Sequence, residues 1–244
     1  MKARFLWRAF KARYRDETAE LSVIREFIRP GDTVCDIGAN KGSFLWWMSR
    51  WVGPGGRVIA FEPQEELAEY LRKVCHILKL NNVTVEAKAA GAVTGTDTFY
   101  IPGETGTSPG ASLNVRVSQR EMCRALSVPV TTLDDYFDAD CPVSVLKLDV
   151  EGAERGVFEG ACRILKDRSP LLVFECEQRH LDTGDVFDVF RILEDLGYVG
   201  EFVYGKKLRP LSEFDPSIHQ RQEGHRFWDA KDYCNNFVFR KGHA

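Results

Sequence analysis

A short stretch of the chain, Val34–Gly42, constrains the fold more than any other. An apolar run typical of a buried strand, Thr33–Ile37, leads through small residues into a helical pattern. The residues expected on one face of that helix are Phe44, Trp47, Met48 and Trp51. A strand, a glycine-bearing turn and a helix form the first unit of a nucleotide-binding α/β fold.

The glycines of this turn and the acids around it indicate a cofactor site. Gly38 and Gly42 lack Cβ, so the backbone can turn sharply and a ligand can lie against it. Their Gly-x-x-x-Gly spacing differs from the Gly-x-Gly-x-x-Gly of dinucleotide enzymes. A second buried strand, Arg57–Phe61, ends at Glu62, where a carboxylate can accept both hydroxyl protons of a ribose. Together with Asp36, this arrangement resembles the cofactor site of Rossmann-like methyltransferases that use S-adenosylmethionine. The alternative is that both acids only cap the helices that follow them.

Composition and charge narrow the class of protein. The 244 residues fit one α/β domain with elaborations, and 44% of them are hydrophobic, which is enough for a continuous core. A net charge of −3 gives no general nucleic-acid footprint, so no nucleic-acid partner is expected. The seven cysteines are scattered and contain no Cys-x-x-Cys pair, which favours a reducing compartment. No apolar run reaches membrane-spanning length. The sequence therefore predicts a soluble, cytoplasmic protein.

The start of the chain differs from the rest. Met1–Arg15 carries six basic side chains and no acid, and one helical face could be shared by Leu6, Trp7, Phe10 and Tyr14. Such a helix either packs on its own domain or contacts an anionic membrane surface or a partner. A second helix ends at Pro30–Gly31. We therefore divide the chain into an N-terminal helical extension, residues 1–29, and a catalytic domain, residues 30–244. Removal of residues 1–15 is expected to leave cofactor binding intact.

Two features follow the third strand of the pattern. The small residues Ala89–Gly91 leave room for a flat adenine ring beside Ala90, or simply allow a helix and the sheet to pack tightly. The stretch Gly103–Gly110 is rich in Gly, Thr, Ser and Pro, which predicts a mobile loop. Long irregular insertions in compact domains tend to be functional, so this loop is a candidate lid.

Acids gather where the fourth and fifth core strands end. The fourth, Val143–Leu148, is followed by Asp149 and Glu151. The residues that follow the fifth strand, Leu171–Phe174, include Glu175, Glu177 and His180. In open α/β sheets ligands bind at the carboxyl ends of the strands, so these side chains are expected near one site. Lys147, which interrupts the fourth strand, is expected to pair with a buried acid.

Five motifs in this order resemble the FkbM family of methyltransferases, from about Pro30 to Arg240. They are Asp36-Ile37-Gly38-Ala39-Asn40-x-Gly42, Phe61-Glu62-Pro63, Thr132-Leu133-Asp134, Lys147-Leu148-Asp149-Val150-Glu151-Gly152-Ala153-Glu154 and Asn235-Asn236-Phe237. The resemblance implies a Rossmann-like class I methyltransferase fold: a seven-stranded, mostly parallel sheet with an antiparallel last strand and helices on both faces. It also implies S-adenosylmethionine as cofactor and O-methylation of a hydroxyl on a small molecule, usually a natural product or a saccharide.

Two sets of site residues follow. The residues expected to bind the cofactor are Asp36, Gly38, Asn40, Gly42, Glu62, Pro63 and Ala90. An alcohol must lose its proton as the C–O bond forms, so a base should lie near the methyl group. Asp149 is the first candidate because it ends a central strand. The other candidates are Glu151, Glu175, Glu177 and His180, whose imidazole is of a type that titrates near neutral pH.

Three alternatives stay open at this point. A divalent metal held by Asp149, Glu151 or Glu175 is chemically reasonable, but no dedicated metal loop is present, so no metal site is predicted. An oxidoreductase that uses NAD would share the glycine turn and the acid after strand two, but not the glycine spacing. A non-catalytic nucleotide-binding module is the third alternative. The sequence predicts neither the identity of the acceptor nor the oligomeric state.

Overall fold

A computed structural model describes residues 1–120 and 122–242, which form an eight-stranded sheet and a three-stranded sheet. The strands are β1 (Thr33–Ile37), β2 (Arg57–Phe61), β3 (Val83–Glu86), β4 (Ala89–Ala90), β5 (Gly95–Pro102), β6 (Cys123–Thr131), β7 (Val143–Leu148), β8 (Leu171–Glu175), β9 (Tyr198–Tyr204), β10 (Lys207–Pro210) and β11 (Asn236–Lys241).

Helices lie between most of these strands. The α-helices are α1 (Lys2–Lys11), α2 (Thr18–Phe27), α3 (Leu45–Val52), α4 (Glu65–Leu78), α5 (Arg116–Arg120), α6 (Leu133–Tyr136), α7 (Glu154–Glu159), α8 (Cys162–Asp167), α9 (Val186–Glu194) and α10 (Pro216–His219). A π-helical segment, Ala12–Asp16, joins α1 to α2. Short 3₁₀ turns are Gln178–His180, Leu211–Glu213 and Phe227–Asp229.

The large sheet has the strand order β10-β9-β11-β8-β7-β1-β2-β3. Strands β1, β2, β3, β7 and β8 are parallel, and β11 lies antiparallel between β8 and β9. This confirms the predicted α/β fold with an antiparallel last strand. The predicted count of seven strands is too low by one. The sequence from Gly205 to Tyr233 is polar and predicts an irregular segment, but the chain turns at Gly205, where φ is +64°, and pairs back as β10. This hairpin gives the outer edge of β9 a partner.

The small sheet has the order β4-β6-β5 and follows β3 in the chain. Its long hairpin, β5 with β6, carries the connection that contains the predicted lid. Two acids after the small sheet, Asp134 and Asp135, are of a type that often caps a helix, and the sequence predicts that they start α6 in this way; this prediction was wrong. Asp134 and Asp135 do not start the next helix as its caps, because the Thr132 side chain accepts the Asp135 N–H at 2.9 Å. Asp134 instead accepts backbone N–H groups of Arg163 and Ile164 at the start of α8.

The predicted inner face of α3 is only partly right. Phe44 and Met48 are buried, but Leu45 and Val52 complete the buried face. Trp47 instead packs beneath α1, and its Nε1–H donates to the Ala9 carbonyl at 2.7 Å. A second layer that includes α1 covers α3, and the sequence of α3 alone does not reveal it. The aromatic residues of α3 therefore face that layer instead of the core.

The face that α1 turns inward also differs from the prediction. Phe5 and Ala9, at i and i+4, are completely buried. Trp7 is 62% exposed and Tyr14 is 65% exposed, so these aromatic side chains lie away from the core. The helix therefore packs on the domain through the face that carries Phe5 and Ala9, not through the face that carries Trp7 and Tyr14. The boundary between extension and domain at residue 30 stays a prediction.

Two findings concern the chain as a whole. Among residues 1–120 and 122–242, no helix is both long enough and apolar enough to cross a membrane. All seven cysteines fall within these ranges and each has a free thiol. The free thiols agree with the expected absence of a disulfide framework, and the cellular compartment stays a prediction.

Candidate functional site

Two adjoining cavities open at the carboxyl ends of β1, β2 and β7. The first is covered by the loop between β5 and β6, and we call it the loop-covered cavity. Its lining includes five of the residues expected to bind a cofactor: Gly38, Asn40, Glu62, Pro63 and Ala90. It also includes Phe61, Phe99 and Val150, which give it an apolar wall. An apolar pocket with a few convergent polar groups is the usual form of a small-molecule site.

Glu62 is the central polar group of this cavity. It is only 2% exposed, its Oε2 accepts the Asn40 N–H at 2.7 Å, and its Oε1 accepts the Gln64 N–H at 2.9 Å. Burial raises the pKa of Glu62 to about 7, although the hydrogen bonds from Gln64 and Asn40 oppose this. A carboxylate has about four acceptor positions. The side chain is thus held rigidly and still has lone pairs for a ligand.

The covering loop is fastened to the domain at several points. The Gln64 side chain donates to the Ser108 carbonyl and accepts the Ser108 N–H, both at 2.9 Å. The Ser112 hydroxyl donates to the Val150 carbonyl at 2.8 Å. Asn114 donates to the carbonyl of His180 at 2.8 Å. The loop that contains the predicted lid therefore closes one side of the cavity. A ligand that enters from this side would have to break these hydrogen bonds or pass around them.

The turn after β1 is shaped by close backbone contacts. Gly38 has φ +77°, and a Cβ there would lie 1.9 Å from the Asp149 carbonyl oxygen. Gly42 has φ +74°, and a Cβ there would lie 2.8 Å from Phe5 Cε2. Only glycine fits at either position without a shift of its neighbours. Gly42 therefore contributes through the shape of the turn, beneath α1, and does not line the loop-covered cavity.

The second cavity lies on the side of α1, and we call it the α1-side cavity. It shares Gly38, Asn40 and Asp149 with the loop-covered cavity, so the two are neighbours. The N-terminal residues that line it are Arg8 and Glu17. Asp149 stands where the two cavities meet. It is the only candidate base that lines both cavities among the residues that the structure describes.

Lys147 organises the charges at this junction. Its Nζ lies 3.5 Å from Asp36 Oδ1 and 3.6 Å from Asp149 Oδ2, which confirms that it pairs with a buried acid, Asp36, as well as with the partly exposed Asp149. Burial opposes its charge, but the pull of Asp149 and Asp36 is greater and raises the pKa of Lys147. Asp36 is 1% exposed and burial raises its pKa, against the effect of Lys147. Asp36 thus sits beneath the site rather than on its surface.

Three further predicted residues meet beside the junction. Glu151, Glu175 and His180 each offer a ligand atom, and these atoms all lie within 4.8 Å of one another. His180 Nδ1 lies 3.0 Å from Glu151 Oε2. Burial, with the charges of Asp149 and Glu151, raises the pKa of Glu175 well above its ordinary value. The group could hold a divalent cation, or work as a carboxylate–imidazole pair beside a protonated acid.

Glu177 has a different, structural environment. It is 1% exposed, pairs with Arg179, and accepts hydrogen bonds from Tyr233 and Asn235. Burial would raise its pKa, but Arg179 and the other donors outweigh burial and lower it to about 2. A carboxylate that accepts this many hydrogen bonds is a poor proton acceptor. Glu177 instead links the segment after β8 to the C-terminal segment.

Sequence reasoning missed several residues of the site. Arg8 and Glu17 come from the extension, and neither carries a motif. Gln64 and Asn114 fasten the covering loop through their amide groups. The signal that could have found Gln64 is its place two residues after Glu62. Nothing local marks the other three, because the contacts that place them at the site are with distant parts of the chain. Arg8 contacts Tyr70, Asn114 contacts His180, and Glu17 lines a cavity with Asp149.

Comparison with known proteins identifies the family. The model of the methyltransferase FkbM domain matches residues 36–199, about two thirds of the chain. The chain belongs to the FkbM family of methyltransferases. The match begins at Asp36, so the extension and β11 lie outside it. Membership supports methyl transfer from S-adenosylmethionine over the oxidoreductase alternative.

Individual relatives are also methyltransferases by name. A Thermoplasma volcanium protein named "Probable cobalt-precorrin-6B C(15)-methyltransferase (decarboxylating)" is 25% identical over 175 residues, 67% of this chain and 86% of that protein. The structure of methyltransferase FkbM from Methylobacillus flagellatus KT has a TM-score of 0.54 at 18% identity and covers 96% of this chain. This chain spans 53% of that one. The precorrin-6y C5,15-methyltransferase of Geobacter metallireducens GS-15 has a TM-score of 0.50 at 15% identity, covering 94% of this chain and 89% of its own. The two structures support the fold alone.

Proposed function

We propose that this methyltransferase transfers the methyl group of S-adenosylmethionine to a hydroxyl oxygen of a small molecule. The observation that carries the proposal is the position of Asp149, a carboxylate at the point where the two cavities meet. In this arrangement the adenosine occupies the loop-covered cavity and the amino-acid part of the cofactor occupies the α1-side cavity. The sulfonium that links them then lies beside Asp149.

The predicted cofactor residues that line the loop-covered cavity have roles in this arrangement. Glu62 accepts hydrogen bonds from the ribose hydroxyls with the lone pairs that Asn40 and Gln64 leave free. Pro63 and Ala90 line the cavity that takes the adenine. The acids around Lys147 give the junction an electrostatic environment that suits a cationic sulfonium.

The reaction is an in-line displacement, in which positioning supplies much of the rate. The acceptor oxygen attacks the methyl carbon, the C–S bond breaks, and its electron pair stays on sulfur. The hydroxyl proton passes to a base as the C–O bond forms. We assign this role to Asp149, whose side chain is 39% exposed and so remains open to an acceptor. The pair of His180 and Glu151 is the alternative base, because Glu151 would hold one ring nitrogen and leave the other free.

The test combines three variants with product analysis. S-adenosylhomocysteine release is measured with a panel of sugars and phenols, and the position of the new methyl group is determined by NMR. Asp149→Asn should lower the rate about 10²–10⁴-fold while the affinity for S-adenosylhomocysteine changes little. Asp140→Asn, on the exposed surface, is the matched control and should leave the rate unchanged.

Three outcomes would change the proposal. Normal turnover by Asp149→Asn with an inactive His180→Ala would move the base to His180. Loss of activity with a chelator, restored by Mg²⁺, would make Glu151, Glu175 and His180 a metal site. A methyl group found on carbon would refute O-methylation and bring the reaction closer to the one named for the Thermoplasma relative.

A further inference from the structure

We infer that the N-terminal extension supplies a clamp for the amino-acid end of the cofactor, with Arg8 on its carboxylate and Glu17 on its ammonium. The inference rests on the proposed use of S-adenosylmethionine and goes beyond it. The family match begins at residue 36, so it assigns no role to either side chain.

The first observation is that α1 lies directly on the glycine turn. Phe5 is completely buried, and its ring would meet a Cβ placed on Gly42 at 2.8 Å. The bond from Trp47 to the Ala9 carbonyl fixes the helix at its next turn. Because residues three apart share a face of a helix, Arg8 projects from the same side as Phe5. The helix therefore brings a cation to the turn that borders both cavities.

The second observation is that Arg8 is positioned without an acid. Its Nη1 donates to the Tyr70 hydroxyl at 3.1 Å, and its guanidinium lies 5.9 Å from the centre of that ring. Among residues 1–120 and 122–242 no carboxylate lies within ion-pair distance of Arg8, whereas Lys11, Arg15 and Arg179 all have one. A guanidinium held by a neutral partner keeps donors free for an anion. A carboxylate matches it in shape and charge.

The third observation is the opposite charge in the same cavity. Glu17 lines the α1-side cavity with Arg8 and stands at the junction between the π-helical segment and α2. Its backbone N–H donates to the Ala12 carbonyl at 2.8 Å, which fixes the residue at the cavity. Burial raises the pKa of Glu17, and the charge of Lys147 opposes the rise, so a bound ammonium would favour its ionised form. Lys41 and Lys147 also line the cavity, and Lys147 is paired with Asp36 and Asp149. An α-amino acid is a zwitterion, and Arg8 and Glu17 match its two charged groups.

The fourth observation is that the two cavities are neighbours. The α1-side cavity and the loop-covered cavity share Gly38, Asn40 and Asp149 in their linings. A ligand whose nucleoside fills the loop-covered cavity would reach the α1-side cavity by extending its other end past Asp149. The chemistry of that end in S-adenosylmethionine is the zwitterion that Arg8 and Glu17 complement.

The experiment compares ligands that carry or lack each charged group. S-adenosylhomocysteine has both, decarboxylated S-adenosylmethionine has only the ammonium, and 5′-methylthioadenosine has neither. Calorimetry gives the affinity of each for the wild type, Arg8→Met, Glu17→Gln and Arg4→Met. The last is the matched control, because Arg4 lies exposed on the same helix and the change in charge is the same.

We expect Arg8→Met to lower the affinity for S-adenosylhomocysteine about ten- to a hundredfold, the range for a lost charge-assisted hydrogen bond. It should leave decarboxylated S-adenosylmethionine and 5′-methylthioadenosine unchanged. Glu17→Gln should lower the affinity for the two ligands that carry the ammonium and leave the affinity for 5′-methylthioadenosine unchanged. Arg8→Lys should retain part of the affinity, and Arg4→Met all of it. Deletion of residues 1–15 should reproduce the loss, contrary to the expectation from sequence.

Two results would overturn the inference. Equal weakening of all three ligands by Arg8→Met, with an unchanged melting temperature, would show that Arg8 has no specific partner in the amino-acid end. Unchanged binding of S-adenosylhomocysteine together with a raised KM for the methyl acceptor would assign the α1-side cavity to that acceptor. Failure of the wild type to bind any of the three would instead refute the cofactor assignment itself, and the two failures are thus distinct.

Discussion

Replacement of Lys147 by Met tests the electrostatic design of the junction. Lys147 is 8% exposed, with Asp36 and Asp149 at 3.5 and 3.6 Å. Removing one partner of a buried pair leaves an uncompensated charge and typically costs about 3–5 kcal/mol. Asp149 is partly solvated, so we expect the lower end, about 3 kcal/mol. For a chain of this size that corresponds to a fall in Tm of about 6–12 °C.

The pH dependence of this loss has a defined sign. Burial raises the pKa of Asp36, and Lys147 opposes the rise. Without the lysine that pKa is higher still, so the folded variant binds more protons than the folded wild type. Its stability relative to the wild type must then increase as the pH falls. The difference in unfolding free energy between the two proteins should be smaller at pH 5 than at pH 7.5.

Urea unfolding at both pH values measures these quantities. Adding Asp36→Asn to Lys147→Met removes the stranded charge and should recover more than about 1 kcal/mol, since contacting residues are not additive. Lys73→Met is the control, because Lys73 forms an exposed ion pair with Glu69 and should cost less than about 1 kcal/mol. Equal stability losses in Lys147→Met and Lys73→Met, independent of pH, would refute the reasoning.

Two further predictions concern the ligand side of the site. Glu62→Gln should lower the affinity for S-adenosylhomocysteine at least about tenfold at pH 8. Because burial raises the pKa of Glu62 to about 7 and the ionised form is the better acceptor, wild-type affinity should rise between pH 6 and 8, and the variant should show no such rise in calorimetry. Gly38→Ala should lose ligand binding and melt lower than Gly197→Ala. Both glycines have positive φ, so alanine at either position would introduce backbone strain of about 1–3 kcal/mol. Only at Gly38 would the new Cβ meet a neighbour, the Asp149 carbonyl oxygen. Similar behaviour of the two alanine variants would contradict the close-approach argument.

The sequence determined much of the sheet and of the nucleoside part of the site. The β1 run is buried at every position, so its apolar pattern directly reports a central strand. In a parallel sheet the residues that end neighbouring strands must meet at one edge, which is why Gly38, Glu62 and Asp149 could be placed together from their positions in the chain. The order of these motifs also sufficed for the family.

Only the tertiary structure decided what lies beyond that edge. Asp36 pairs with Lys147, which belongs to a strand more than a hundred residues later in the chain. The sequence around Asp36 does not reveal this contact. The face that α1 buries was misjudged because Trp7 and Phe10 are more hydrophobic than Ala9, yet the close packing on α3 needs a small side chain. Arg8 and Glu17 reach the site only because the extension folds back over the glycine turn. Local pattern encodes the elements and their ends, whereas contacts between distant segments depend on shape complementarity that no short stretch of sequence contains.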